Sequence, residues 1–285
     1  MPFSISCPRC SNDIPRPADC CPHCGARPEL FWNVIEADHV DERAALGDRY
    51  AAAIADAATR GAGVSLQHFE NALAESTAVI ARPETVIHRL ANNTRQLYAS
   101  YYQEIEAGLR LPDDDEWSTA RELADTLLFI GYQQHIRFGA LSLDGKGPSN
   151  YGSCSFELRE NMIADRASVL EENSVTFMER HSVKASRNPA VPKGYRAPWG
   201  SRAKVCVAKL AAHIDSTTRP NEYSGLLLRQ GTTPAAHEYV EVHIFGPITI
   251  LTMAKVTVTK PNKRQKATVV KALKSKLAKY GVSVS

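Results

Sequence analysis

The chain has 285 residues, 44% hydrophobic and 23% charged, which is enough apolar material for one or two packed cores and too much for a disordered polymer. The net charge of +3 is small but unevenly placed, since nine Lys/Arg and no acid lie from Lys255 onward. No apolar run approaches the roughly 18 residues of a membrane span, and the opening "MPFSIS" lacks the pattern of a secretory leader, so a protein outside the membrane is expected.

Residues 1–30 are rich in Cys and Pro and have no helical period. Five of the seven cysteines lie between Cys7 and Cys24. That crowding differs from a secreted disulfide framework and points to a reducing compartment, read here as a cytoplasm. Cys7-Pro-Arg-Cys10 and Cys21-Pro-His-Cys24-Gly25 are two CxxC knuckles with ten residues between them. Each knuckle aims two thiolates at one ion, and zinc suits a four-thiolate tetrahedron. The pattern closely resembles a short zinc ribbon with Cys7, Cys10, Cys21 and Cys24 as ligands of a structural Zn2+. Cys20 is the spare and an alternative to Cys21. A filled four-ligand site has no open position for catalysis.

Residues 31–130 are expected to form a helical domain. Trp32, Ile35, Val40, Leu46, Tyr50 and Ile54 follow helical spacing. "RGAGVS" marks a break with Ser65 as a candidate N-cap. A Tyr-rich helix is expected from Leu97 to Leu109, followed by the acids of "PDDDEWS", placed to complement the dipole of a helix that starts at Glu116.

From about residue 131 the pattern turns to short strands. "FGALSL", "CSFELR", "ASVL", "GLLLRQ", "YVEVHIF" and "KVTVTK" read as strands, "NMIADR" as a short helix, and "VCVAKLAAHI" as either. The whole is α+β: an N-terminal ribbon, a central helical region, and a C-terminal mixed or antiparallel sheet domain with helices (131–260). A basic amphipathic helix (261–285) closes it, with Val269, Leu273, Leu277 and Tyr280 on one side. Such a tail either follows phosphates or is simply solvated.

Common nucleotide and hydrolase motifs are missing. "GAGVSL" lacks the third glycine of a dinucleotide loop, and neither GxxxxGK[ST], HExxH nor GxSxG occurs. "HEYVEVHIFGP" is the informative stretch. Val240, Val242 and Ile244 alternate with Tyr239, Glu241, His243 and Phe245, which places a carboxylate and an imidazole between aromatics, as in a cleft wall. Other polar residues at strand ends are His135, Arg137, Tyr151, Arg166, Asn173, Ser174, Trp199 and Arg202. Several have ordinary alternatives: Ser174 as an N-cap, Arg166 as a partner of Glu171 or Glu172, His135 as a helix-end cation.

"YVEVHIFGP" with the following "ITILTMAKVTV", and "YGSCSFELRENMIADRASVLEENS" before them, resemble segments of ADP-ribosyltransferase domains of the toxin or effector type, over roughly residues 130–260. The resemblance implies an enzyme that takes NAD as substrate and transfers ADP-ribose to a macromolecular acceptor, protein or nucleic acid, in a bacterial toxin or defence effector with a possible antitoxin. It implies Glu241 as the catalytic carboxylate, with Tyr151, Arg166 and Ser174 beside it. NAD would be held by Arg137, Tyr151, Asn173, Trp199, Arg202 and Tyr239. Arg137 and His135 compete for the early-strand position, "RAS" or "NS" stands where the family has Ser-Thr-Ser, and Tyr239 stands two before Glu241, where many members have Glu or Gln. Two other functions fit the residues: a non-enzymatic zinc-ribbon protein that binds nucleic acid, and a metal-dependent hydrolase using His237, Glu241 and His243.

Overall fold

A computed structural model describes residues 3–108, 115–186, 189–259 and 263–285. At the N-terminus β1 (Ser4–Ser6) and β2 (Asp13–Pro15) pair antiparallel. Then come α1 (Trp32–Ala37), α2 (Val40–Thr59), α3 (Gly63–Ala72), β3 (Thr77–Arg82), α4 (Glu84–Leu90), α5 (Tyr101–Glu106), α6 (Glu116–Leu128), β4 (Ile136–Ser142), β5 (Cys154–Leu158), β6 (Ala167–Leu170), α7 (Ser174–Arg180), β7 (Arg196–Pro198) and α8 (Arg202–Leu210). The chain continues with α9 (Tyr223–Leu227), β8 (Leu228–Arg229), β9 (Glu238–Tyr239), β10 (Glu241–Phe245), β11 (Met253–Val258), α10 (Lys263–Leu277) and β12 (Ser283–Val284).

Eight strands form one sheet in the order β12-β11-β5-β3-β4-β10-β6-β7, antiparallel except for the β11–β12 pair. The fold is therefore α+β with a mixed sheet. β3 comes from the stretch expected to be helical. Its sequence, TAVIAR, is apolar on both faces and buried on both, so it shows no alternation to separate it from the helices around it. One face of the sheet is covered by α2, α3, α8 and α10, whose buried residues join Ile80, Phe156 and Val242 in a core that runs from Leu46 to Val284. The other face packs Cys7, Ile14, Cys21, Trp32, α6 and Phe177 around Leu170 and Ile136. Residues 3–30 are thus docked on the sheet, with Trp32 Nε1 donating to Ala18 O at 3.2 Å and Arg16 bonded to Glu36 at 2.6 Å.

Several local expectations are corrected. "GLLLRQ" is split: Pro220 and the Glu222 carboxylate, which accepts from Arg219 N at 2.7 Å, start a turn that carries Gly225, Leu226 and Leu227 into α9, and only Leu228 and Arg229 form the expected strand, as β8. "NMIADR" forms two 3-10 turns rather than a helix. "VCVAKLAAHI" resolves as helix, in α8. Ser65 lies inside α3, which starts at Gly63. The N-cap of α7 is Asn173, so Ser174 is the first helical residue. The expected helix from Leu97 is shorter, beginning at Tyr101 behind a Ser100–Gln103 capping box; Leu109, Asp113 and Asp114 lie outside the described residues.

The sheet forks in its middle. β3 and β4 pair from Thr77↔Ser142 only to Val79↔Ala140. Beyond that, β3 runs on against β5 to Arg82↔Cys154, while β4 runs on against β10 to Ile136↔Phe245. The two strands therefore part, with four strands on either side. At the vertex a Cβ on Gly139 would lie 2.7 Å from the Val79 carbonyl oxygen. Gly139→Ala should wedge the vertex and cost about 1–3 kcal/mol in urea unfolding. A midpoint equal to wild type would show that the vertex is not close-packed.

Candidate functional site

A cavity of about 500 Å3 opens in the fork. Val79, Ala81 and Arg82 of β3 and Ile136 to Ala140 of β4 line it, closed over by Tyr101 and Tyr102 of α5, by Trp117, Arg121 and Asp125 of α6, and by Tyr151. Tyr239 and Glu241 complete the wall.

Strand parity divides the charges. Paired residues share a sheet face, so Glu241, Ala140 and Val79 point one way, and Arg82 and Arg137, each three positions from the last pair, point the other. On the second face Arg137 is buried. It donates through Nε to Tyr98 O (3.2 Å), through Nη1 to Gln134 O (3.2 Å) and through Nη2 to Gln103 Oε1 (2.7 Å). Burial lowers its pKa, because those partners are all neutral. Arg82 lies over the rings of Tyr98 (5.3 Å) and Tyr151 (5.8 Å) and donates to Ala81 O. Among the described residues neither arginine has a carboxylate partner, so this end of the cavity is cationic.

On the other face Glu241 is 1% exposed. Arg121 Nη1 donates to it at 2.8 Å, Ser174 N at 3.0 Å and Asn173 Nδ2 at 3.4 Å; the Ser174 hydroxyl also donates, and His243 Nε2 lies 3.1 Å away. Asn173 is the N-cap of α7 and Ser174 its first residue, so the carboxylate sits where the helix presents its unbonded N–H groups. Burial pushes the Glu241 carboxyl up, but Arg121, His243 and Ser174 outweigh it and hold it at about 2. Arg121 also meets Asp125 at 3.0 Å and stacks on Phe138 at 4.0 Å. Asp125, which accepts from Tyr102 OH at 3.0 Å, is raised by burial to about 7 because Arg121 offsets only part of that cost and Glu241 adds to it. One guanidinium thus serves two carboxylates, one ionised and one poised near neutrality.

Of the residues singled out in the sequence, Arg137, Tyr151, Tyr239 and Glu241 line the cavity. Ser174 and Asn173 hold Glu241 from behind it, and Asn173 also donates to Tyr239 OH at 2.7 Å. Three expected site residues, Arg166 from the catalytic set and Trp199 and Arg202 from the NAD-holding set, lie elsewhere. Arg166 is tied to the Met162 and Phe245 carbonyls. Trp199 is buried against Glu160, and Arg202 bonds Ser76 Oγ at 3.0 Å and Ala74 O at 2.8 Å. All three are taken up by carbonyl, carboxylate or hydroxyl partners away from the cavity. His135 stacks on Phe245. Arg82, Tyr98, Arg121 and Asp125 were not foreseen. The Arg121/Asp125 helical spacing was visible, but it reads as an ordinary surface pair, and only the fold carries it to Glu241.

The sulfurs of Cys7, Cys10, Cys21 and Cys24 lie within 4.8 Å of one another, a set that can hold a metal ion, and Cys20 is outside it. Both knuckles are built alike. Ser11 N donates to Cys7 O and Gly25 N to Cys21 O, each at 2.9 Å; Cys7 N reaches Asn12 O and Cys21 N reaches Ala26 O, each at 2.8 Å. Ser11 and Gly25 both take positive φ, at 60° and 68°. The other grouping of possible ligands among the described residues is Glu171, Glu172 and His181, where Arg49 and Arg180 already hold the two carboxylates. His237, Glu241 and His243 do not converge as a ligand set: the His237 ring accepts from Gly231 N at 2.9 Å, while His243 packs between Phe129 and Phe138. That geometry removes the basis for the hydrolase reading.

Neither a scan against protein-family models nor a comparison with curated proteins finds a match to this chain.

The two carboxylates have opposite effects on stability. Glu241, depressed from 4.5 to about 2, binds fewer protons folded than unfolded, so its contribution is present above about pH 4.5 and is lost as pH falls through 2. Asp125, raised from 3.8 to about 7, binds more protons folded, so its contribution falls as pH rises from about 4 to 7. Asp125→Asn should therefore remove a declining component of stability across pH 4.5–6.5, read from urea midpoints. An unchanged slope would show that Asp125 titrates normally.

Proposed function

We propose that the fork cavity is a dinucleotide site, and that the chain is an ADP-ribosyltransferase-like enzyme that cleaves the nicotinamide–ribose bond of NAD. One observation carries the reading: two guanidinium groups without carboxylate partners and the buried, ionised Glu241 face a single cavity lined by tyrosines. Its volume, about 500 Å3, lies within the range of small-molecule sites. Arg82 and Arg137 match a pyrophosphate, the Tyr98 and Tyr151 side supplies aromatic faces, and Glu241 lies across the fork where positive charge would develop on the ribose. When the C–N bond breaks, its electron pair leaves with nicotinamide. The acceptor's nucleophile then bonds to the ribose carbon and loses its proton, in the manner of glycoside cleavage. Ser174, Asn173 and His243 are positioning residues that hold Glu241 ionised.

A second reading, NAD-class binding without cleavage, is favoured by the crowding of Glu241: Arg121 and Ser174 already occupy its oxygens. Calorimetry with NAD and ADP-ribose, beside chromatography of released nicotinamide, separates the two. On the enzymatic reading Glu241→Gln keeps NAD affinity within a few-fold and lowers nicotinamide release by ~10²-fold or more, the usual effect of losing one electrostatic stabiliser. Binding with no release selects the second reading, and no binding of either ligand ends both.

The cysteine cluster is proposed as a structural zinc ribbon. Zn–S bonds of about 2.3 Å place sulfurs about 3.8 Å apart in a tetrahedron. Cys7–Cys24 and Cys10–Cys21 are separated by 3.7 and 3.5 Å. When bound, the ion would join two knuckles that have almost no core of their own. Purified protein should hold one zinc per chain, Cys7→Ser should lose it and loosen residues 1–30 to proteolysis, and Cys20→Ser should keep it. Equal zinc loss in both variants would overturn the ligand assignment.

A further inference from the structure

The cationic C-terminal helix is not used by the cavity. α10 buries Leu273 and Leu277 completely and half-buries Val269 and Val270, packing against α4 and the β11–β12 edge of the sheet. Lys276 is part of that docking, since its Nζ donates to His88 O and Asn92 Oδ1, each at 2.8 Å.

At 100° per residue, Arg264, Lys271 and Lys279 fall on the side opposite the leucines, the last in the turn that follows the helix, and Lys263 and Lys274 stand on the flank between the two sides. All five are exposed, and among the described residues none has a carboxylate partner. No acid occurs from Lys255 to the end of the chain to supply one. The face is thus a single-sign stripe about 24 Å long, at 1.5 Å per residue.

The composition of the stripe narrows its partner. A helix that lies in a membrane surface keeps an apolar face for the lipid. Here that face is already spent on the protein core, and no large hydrophobic residue of α10 is among the exposed ones. A protein partner would be expected to meet an aromatic or arginine anchor in a desolvated patch. The stripe instead has four lysines and one arginine, mobile point charges that suit a dense, regular row of anions. Duplex nucleic acid presents one such charge per roughly 1.7 Å of axis. We propose that the outer face of α10 binds duplex nucleic acid through its phosphates, without reading its sequence.

The cysteine cluster takes no part. It packs with α6 and Leu170 on the opposite side of the sheet from the core that includes α10, near β10 and β6, four strands from the β12–β11 edge.

The test is fluorescence anisotropy of a labelled 20-base-pair duplex with the full chain between 50 and 200 mM salt. If the five cations each neutralise one phosphate, log affinity should fall against log salt with a slope of about −4.5. The triple variant Lys271→Gln, Lys274→Gln, Lys279→Gln changes only exposed side chains. It should lower affinity at 100 mM salt by about tenfold or more and reduce the slope to about −2. A duplex of shuffled sequence should bind equally, and Cys7→Ser should bind as wild type does. The proposal is overturned if wild type does not bind at 50 mM salt, or if the triple variant binds with unchanged slope. It is likewise overturned if phosphatidylserine vesicles are bound and the duplex is not, or if Cys7→Ser abolishes binding.

Discussion

The centre of this molecule depends on one buried guanidinium. Arg121 comes from α6, yet its partner Glu241 lies 120 residues later in a central strand. Isolated in the interior, either charge would cost several kcal/mol in lost hydration. Their contact alone does not offset that cost. The Ser174 amide and hydroxyl, Asn173, His243, Asp125 and the face of Phe138 supply the remaining hydrogen bonds and favourable field. The network ties α6, α7 and β10 together beside the fork, so the cavity roof is fastened to its floor by polar contacts rather than by apolar packing alone.

A fork is an expensive feature for a sheet. Where β3 and β4 part, ladder hydrogen bonds are lost and backbone groups need other partners. Each strand keeps its outer neighbour, which retains half of its pairing, and Arg137 takes up the Tyr98 and Gln134 carbonyls within the gap. Gly139 lets the strands touch at the vertex, and the first residues beyond it diverge. The result is a cavity with exposed strand backbone, with Arg82 and Arg137 toward one end and Arg121, Asp125 and Glu241 toward the other. Elsewhere buried charges are paired more conventionally. Glu36 and Glu42, for example, share Arg196, and the first of them also holds Arg16 of the ribbon region.

Features with short-range causes were legible in the sequence. Two CxxC knuckles closed by residues at positive φ bring four sulfurs together through hydrogen bonds within a few residues, so spacing was enough to find them. The alternation of Val240, Val242 and Ile244 with Tyr239, Glu241 and His243 likewise placed Glu241 on the face where the structure has it, because side chains in a strand alternate whatever the strand's neighbours. β3 escaped for the opposite reason. An apolar run buried on both faces has no period, and its Ala-rich surroundings favoured helix. Arg166, Trp199 and Arg202 were plausible ligand-binding types at plausible strand and helix ends, but residue type does not say which carbonyl lies nearby.

Amino-acid order alone therefore determined the cysteine cluster, the amphipathic C-terminal helix with its single-sign charge, and the side of its strand on which Glu241 would sit. Each rests on contacts or periodicities spanning a few residues. Only the tertiary structure decided that Arg121 would neutralise Glu241, that β3 would enter the sheet beside β4, and that the two would part to open a cavity between Arg82 and Arg137. Those outcomes depend on register and approach between segments more than 50 residues apart, where close packing at one glycine and the hydration cost of one buried charge outweigh any local preference.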